Sequence, residues 1–278
     1  MSTQGVYFVH ISDTHIGARA DFTRHGHASL PCAKRMVEII NTLPIRPDFV
    51  IHTGDVVADP RSSAYRLAAE TFAALEVPIY YANGNHDTAR DIRRYLPMGP
   101  LELAGRDPGR LSYTFEVKGF RFLVLDARGP DDIDPQGLLP NSQLELVVQE
   151  ATAHGMPANK MPANMLPLVI FIHYPVLPLN SIWMDDNMLI ANGEELHSAL
   201  IPARNRLRGV FHGHVHQHMQ TTRDGIQYYS VASVFSQFAA WPDDADTRFD
   251  TEHQPGYGFV HLLPEQTIVH QHTFPRPE

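Results

Sequence analysis

Val6-Tyr7-Phe8-Val9-His10-Ile11-Ser12-Asp13-Thr14-His15 decides how the rest of this 278-residue chain is read. A short β-prone run, Val6–Ser12, leads directly into an aspartate and a histidine two positions apart. The arrangement recurs downstream. A strand over Asp48–Thr53 ends at Gly54-Asp55, and one over Pro78–Ala82 ends at Gly84-Asn85-His86-Asp87. Leu168–His173 reads as a buried strand closed by its histidine, and Val210–His212 runs into Gly213-His214-Val215-His216. Helical patterns over Ala33–Leu43, Ser62–Leu75 and Thr88–Leu96 separate the first strands. Strand and helix in alternation imply βαβ units with parallel strands, hence an α/β fold.

Each motif alone has an ordinary explanation. Asp13-x-His15 can be a turn-forming Asp beside an unremarkable His, Asp55 a helix N-cap, and Asn85-His86-Asp87 a tight turn. His214-x-His216 is equally ambiguous, although Gly213 would let the backbone approach an ion closely. Their conjunction decides. Asp13, Asp55, Asn85, His173 and His214 each follow the C-terminal end of a predicted strand, the edge at which open α/β sheets build their sites. The inventory of two Asp, one Asn and four His, with one His to spare, suits two divalent ions held by imidazole and carboxylate. Two adjacent metals are suited above all to splitting phosphate esters with an activated water.

The ordered set D-x-H, G-D, G-N-H-D, a lone H and G-H-x-H, spanning Asp13 to His216, resembles the signature of the calcineurin-like metallophosphoesterases. The resemblance implies a four-layer sandwich of two mixed β-sheets flanked by helices. It implies Asp13, His15, Asp55 and His216 around one metal, and Asp55, Asn85, His173 and His214 around the second, with Asp55 bridging. A bridging hydroxide would then attack phosphorus. His86 would face the substrate as a catalytic group, and Asp87 would orient His86 or an adjacent backbone amide. The all-nitrogen-and-oxygen set suits Mn, Fe, Zn or Co, as two divalent ions or a mixed-valence pair. Purple acid phosphatases carry a metal-binding Tyr three residues after the bridging Asp; here Ala58 stands there, which argues against a ferric-tyrosinate centre.

A looser similarity concerns the branch. His173-Tyr174-Pro175-Val176, Trp183-Met184-Asp185, Asn192-Gly193-Glu194-Glu195-Leu196, Ser233–Phe238 and Pro255-Gly256-Tyr257 resemble the class III cyclic-nucleotide phosphodiesterases and their glycerophosphodiesterase relatives. That favours small phosphodiester substrates such as 3′,5′-cyclic nucleotides or glycerophosphodiesters. A phosphomonoesterase or nucleotide pyrophosphatase on the same site is the enzymatic alternative, and a metal-poor interaction scaffold the non-enzymatic one. Trp183 either stacks a nucleobase or pins its loop to the core, and Tyr174 is equally open. His25 and His27 read as solvent-exposed loop histidines, His52 and His212 as packed structural ones.

Composition narrows the remainder. A formal net charge of -9 disfavours a nucleic-acid partner, whose backbone demands Lys and Arg. The single Cys32 excludes an internal disulfide and is expected to pack in a helix. No apolar run reaches the length of a membrane span, and no signal-peptide pattern opens the chain, so a cytoplasmic protein is expected. One domain over residues 1–278 is the economical organisation, with a homodimer compatible with the branch. Ser112–Val117 and Phe120–Asp126 should form a hairpin across Lys118-Gly119. Ser142 with Glu145, and Asn192 with Glu195, read as capping boxes, the first opening a helix that ends near Gly155. Met156–Asn164, with Met-Pro-Ala-Asn twice, reads as a surface loop, and the segment after His212 as antiparallel pairs. The acidic stretch Asp243-Asp244-Ala245-Asp246 with Asp250 and Glu252 reads as a solvated loop.

Overall fold

Two mixed sheets face each other across an aromatic core. The computed structural model describes residues 5–104, 107–152, 166–239 and 241–277; the Met156–Asn164 repeat lies outside them. In chain order the elements are β1 Val6–Ile11, β2 Thr23–Arg24, β3 His27–Ala28, α1 Ser29–Asn41, β4 Phe49–His52, α2 Ser62–Phe72, β5 Ile79–Tyr81 and α3 Ala89–Tyr95. There follow β6 Glu102–Leu103, β7 Tyr113–Val117, β8 Phe120–Val124, α4 Asn141–Ala151, β9 Leu168–Phe171, α5 Ile182–Asn187 and α6 Gly193–Leu200. The last are β10 Leu207–His212, β11 Gln220–Arg223, β12 Ile226–Ser230, β13 Gln237–Ala239, β14 Arg248–Asp250, β15 Gly256–Leu263 and β16 Gln266–Thr273.

The first sheet runs β16-β15-β1-β4-β5, with β1, β4 and β5 parallel and β15 and β16 antiparallel at one side. The second runs β11-β12-β10-β9-β8-β7-β6, with a parallel centre of β12, β10, β9 and β8. Residues alternate between its faces, as the pleat requires. Phe122, Phe171 and Phe211 point toward the first sheet, while Leu123, Ile170 and Val210 point away and pack with Leu146 and Val147 of α4 and Leu196 and Leu200 of α6. From the first sheet Phe8 meets Phe171 at 5.5 Å and Phe211 at 5.2 Å, both edge-on, and Phe49 meets Phe122 at 5.1 Å. Met36, Val37 and Ile40 of α1 and Tyr65 and Phe72 of α2 complete that core. The architecture is therefore the expected sandwich with flanking helices.

The turn chemistry follows the sequence. Lys118-Gly119 and Asp224-Gly225 both have positive φ at the two central positions, the conformation that matches strand twist in a two-residue hairpin. Cys32 is buried in α1. Among the described residues no helix is long and apolar enough to cross a membrane.

Three local expectations are corrected. Neither capping box forms: α4 follows Pro140 with no side-chain cap, and the Asn192 amide is drawn away from its helix to exchange two hydrogen bonds with the backbone of Leu139. The segment after His212 is not wholly antiparallel, because β12 adds parallel to β10. Helix α1 begins at Ser29, a turn earlier than its apolar pattern indicated.

Candidate metal centre

The candidate ligands meet where the parallel strands of both sheets end. Beyond β1 and β4 the two exit loops stay zipped together: Asp13 N–H donates to Gly54 O at 3.0 Å, His15 N–H to Asp55 O at 3.0 Å and Ile16 N–H to Val56 O at 2.9 Å. The loop after β10 is fixed by Gly213 N–H donating to His173 O at 2.9 Å. The backbone is strained just here. Asp13, His15, Asp55, His214 and His216 all have φ between 41° and 71°, a region non-glycine residues avoid and functional sites exploit. These bends turn side chains that would alternate along a strand toward one point. Gly54, at φ 105°, has room for no Cβ, which would stand 2.5 Å from His173 Nδ1. Gly213 packs directly against the first motif. A Cβ there would collide with Ser12 Oγ and stand 2.7 Å from Asp13 Oδ2, so its absence makes room for the first motif.

The ligand atoms form two sets, and Asp55 of one lies against His15 of the other. Asp13, His15 and His216 converge in one, and Asp55, His173 and His214 in another. His216 Nε2 is 3.4 Å from Asp13 Oδ1, and His15 Nε2 is 3.6 Å from Asp55 Oδ2. On the other side His173 Nε2 is 3.5 Å from Asp55 Oδ1. Two ligands each ~2.1 Å from a shared ion at a tetrahedral angle stand ~3.4 Å apart, so the spacing fits cation ligands better than hydrogen bonds. Asp13 Oδ1, Asn85 Oδ1, His173 Nε2 and His214 Nε2 are buried with no hydrogen-bond partner. Buried polar atoms are rarely left so, and this convergence of lone pairs is what two divalent cations would satisfy.

Surrounding groups fix the ligands. His173 Nδ1 and His216 Nδ1 donate to the carbonyls of Thr53 at 2.7 Å and Ser236 at 2.8 Å, leaving Nε2 of each as the lone-pair nitrogen. The His214 amide donates to Asp13 Oδ2 at 3.0 Å, and Ser233 Oγ donates to Asp13 O at 2.8 Å. Burial works to raise Asp13 and Asp55, but His216 and His173 beside them outweigh it and hold both well below the usual carboxylate range. Burial, with the nearby His173, pushes His214 down to about 3; at His173 burial is overcome by Asp55, which lifts it to about 9. The site is thus built for positive charge.

His86 and Asp87 separate in role. The His86 amide donates to Asp55 Oδ1 at 3.0 Å, and its Nδ1 donates to Ala58 O at 2.7 Å, so Nε2 is the free nitrogen. His86 also groups with His15 and Asp55 as a third set able to hold an ion. Asp87 is fully buried and does not orient His86. Its carboxylate accepts from the amides of Val56 at 3.0 Å, Val57 at 3.3 Å and Gly84 at 3.4 Å, and from Tyr65 Oη at 3.4 Å. It therefore ties the Asn85 loop to the Asp55 loop, the backbone-amide half of its expected task.

A cleft of about 150 Å³ opens over His15, Asp55, Asn85, His86, His214 and His216. Its walls are Trp183 and Met188 from α5 and its end, Phe238 and Phe249 from the β13–β14 ribbon, Pro135, and Arg24 and His25 from the β2–β3 hairpin. A larger cavity of about 310 Å³ lies behind Phe238 but touches none of the candidate ligands except His216. Trp183 packs edge-on to Phe238 at 5.9 Å, as a loop-pinning residue would, and also lines the cleft. Tyr174 is buried with its ring against His173 and His214. His25 is not a free loop residue, since it stacks on Phe249 in the cleft wall. Phe249 belongs to the acidic segment, which brings this ring rather than its carboxylates to the cleft. His52 and His212 are buried structural residues, His52 hydrogen-bonded to Thr14 Oγ1 at 2.9 Å.

Arg24, Phe238 and Phe249 were not singled out as site residues in the sequence. One signal was available for the first: His25-Gly26, both at positive φ, is a two-residue hairpin turn of the same kind as Lys118-Gly119.

Comparison with known proteins agrees with this geometry. The family model described as calcineurin-like phosphoesterase matches residues 6–218. The chain is 28% identical over 257 residues to the 3′,5′-cyclic adenosine monophosphate phosphodiesterase CpdA of Pseudomonas aeruginosa, covering 92% of this chain and 85% of that one. It is 27% identical over 266 residues to the glycerophosphodiester phosphodiesterase GpdQ of Enterobacter lignolyticus, covering 95% and 90%. The similarity to the "Probable cyclic nucleotide phosphodiesterase" of Psychrobacter sp. (strain PRwf-1), 28% over 228 residues, covers 81% of this chain but 62% of that protein's length. Among solved structures, a dimetal phosphatase from Danio rerio superposes with a TM-score of 0.63 at 16% identity, covering 97% of this chain and 99% of that one, which shows a shared fold. With its motif residues gathered at one sheet edge and the family model matched over most of its length, the chain belongs to the calcineurin-like phosphoesterase family.

Proposed function

We propose that the protein is a metal-dependent phosphodiesterase that hydrolyses small phosphodiesters, such as 3′,5′-cyclic nucleotides or glycerophosphodiesters. The observation that carries this reading is the convergence of buried ligand atoms, several of them unpartnered, into two adjacent sets with Asp55 of one 3.6 Å from His15 of the other. Asp13, His15, Asp55 and His216 would hold one cation, and Asp55, Asn85, His173 and His214 the other. When bound, the cations supply Lewis-acid activation of water and neutralise charge on the phosphoryl oxygens. The names of the cyclic-nucleotide and glycerophosphodiester relatives favour diesters over monoesters.

The chain's own groups have separable tasks. Asp87 keeps the Asp55 and Asn85 loops in register through the Val56, Val57 and Gly84 amides. The carbonyls of Thr53 and Ser236 hold the His173 and His216 rings in the tautomer that leaves Nε2 free. The cleft walls exclude bulk water from one side of the substrate. During hydrolysis a water oxygen bonds to phosphorus, the ester P–O bond breaks, and the departing oxygen needs a proton. His86 is placed to give it. Its Nδ1 is occupied by Ala58 O, and Nε2 is the position from which a protonated ring would donate.

Turnover of bis-p-nitrophenyl phosphate against p-nitrophenyl phosphate, in manganese-supplemented buffer, tests the proposal. A clear preference for the diester is expected; a clear monoester preference would overturn it.

A further inference from the structure

Arg24 is the one Lys or Arg side chain that lines the cleft among the described residues. It is also aimed. Its Nε donates to His25 Nε2 at 3.0 Å, and the His25 ring stacks on Phe249 in the cleft wall with an interplanar angle of 14°. His25 occupies the first position of its turn at φ 53°, where glycine or asparagine is at ease and histidine is strained. That strain, the stacking and the hydrogen bond together hold the guanidinium in the cleft lining. Its two terminal nitrogens have no acceptor among the described residues. No carboxylate of the wall offsets its charge, because Asp55 is the one acid that lines the cleft and it faces His15 and His173.

The rest of the lining has different chemistry. Trp183, Phe238 and Phe249, with Met188, form an aromatic and apolar surface of the type that receives quaternary ammonium groups. Left to itself, such a wall would welcome a choline-like ester arm. A full positive charge in the same small cleft works in the other direction. In a partly desolvated cleft a like charge at comparable range outweighs the attraction of ring quadrupoles.

Resting on the phosphodiesterase reading, we propose that Arg24 is the specificity-determining residue of this cleft. It admits small phosphodiesters whose second ester arm is neutral or anionic, and excludes the choline-like cationic arms that the aromatic wall would otherwise accept.

Two readouts test this, one without turnover. Calorimetry measures binding of phenyl phosphate and of phosphocholine, which pair the same phosphate with a neutral or a cationic arm, to the metal-loaded protein. The wild type should favour phenyl phosphate. Arg24→Gln should reduce that preference about tenfold, and Arg24→Glu should reduce it further. Arg24→Lys keeps the charge and should retain the preference, which separates a charge effect from damage to the hairpin. The kcat/KM ratio for bis-p-nitrophenyl phosphate over p-nitrophenylphosphorylcholine should follow the same order. A binding preference unmoved in Arg24→Glu, or one lost equally in Arg24→Lys, overturns the proposal. If neither diester is hydrolysed while the calorimetric preference still shifts, the phosphodiesterase reading fails and the charge discrimination stands.

Discussion

His173 Nε2 stands 3.5 Å from Asp55 Oδ1, too far for a good hydrogen bond and well spaced for two ligands of one cation. The other oxygen of Asp55 faces His15 Nε2 at 3.6 Å, the placement that the proposed bridging role requires. Asp55→Ala should therefore release both metals, whereas His173→Ala should release about one. Elemental analysis after gel filtration checks this. One metal retained by Asp55→Ala would show that the carboxylate does not bridge.

Removing the metals should loosen the fold. A ligand present at 100 times its Kd stabilises by about 2.7 kcal/mol, and each kcal/mol moves Tm by about 2–4 °C in a chain approaching this size. Chelation should thus lower Tm by roughly 5–10 °C, and manganese should restore it. An unchanged melting curve, paired with absence of bound metal before chelation, would favour a metal-poor scaffold.

His86→Ala should lose about 10²–10⁴-fold in turnover on diesters with poor leaving groups, and less on p-nitrophenyl esters, whose leaving oxygen needs little protonation. Both metals should stay. His86 also groups with His15 and Asp55, so a variant that loses a metal equivalent would make it a ligand instead of a proton donor.

Asp87→Ala strands the Val56 and Val57 amides in a buried setting. The expected cost is about 2–4 kcal/mol in chemical denaturation, with metal affinity weakened about 10–100-fold as the Asp55 loop relaxes. Stability and metal affinity at wild-type levels would show the anchor to be dispensable.

Burial pushes the Cys32 thiol up to about 11. At pH 8 only ~0.1% of it is then thiolate, the form that reacts. Iodoacetamide should leave the native protein unlabelled at pH 8 and modify it fully in denaturant. Rapid native labelling would contradict the packing of α1.

The motif residues were readable because each combines a chemical type with a fixed place at a strand end. Asp13, Asp55, Asn85, His173 and His214 could be assigned to one edge before any coordinate was known. The strand interiors were readable too, since Phe122-Leu123-Val124 and Val169-Ile170-Phe171 carry dense β-branched and aromatic character. The capping boxes failed because Ser142 and Asn192 satisfy a local pattern, while the long-range bonds between Asn192 and Leu139 prevailed at the second site. The tautomers of His173 and His216 depend on carbonyls of Thr53 and Ser236, and a carbonyl leaves no trace in residue type.

The sequence by itself determined the α/β class, the ligand inventory and its order along the chain, because strand periodicity and metal-binding side chains are local properties. Tertiary structure decided which ligand atoms converge, what Asp87 holds, and which residues wall the cleft. Those depend on backbone bends at Asp13, His15, Asp55, His214 and His216, and on Arg24, Trp183 and Phe249 arriving from distant segments. Contacts between segments more than 200 residues apart, such as Arg24 beside Phe249, are set by how the two sheets pack and by no local pattern.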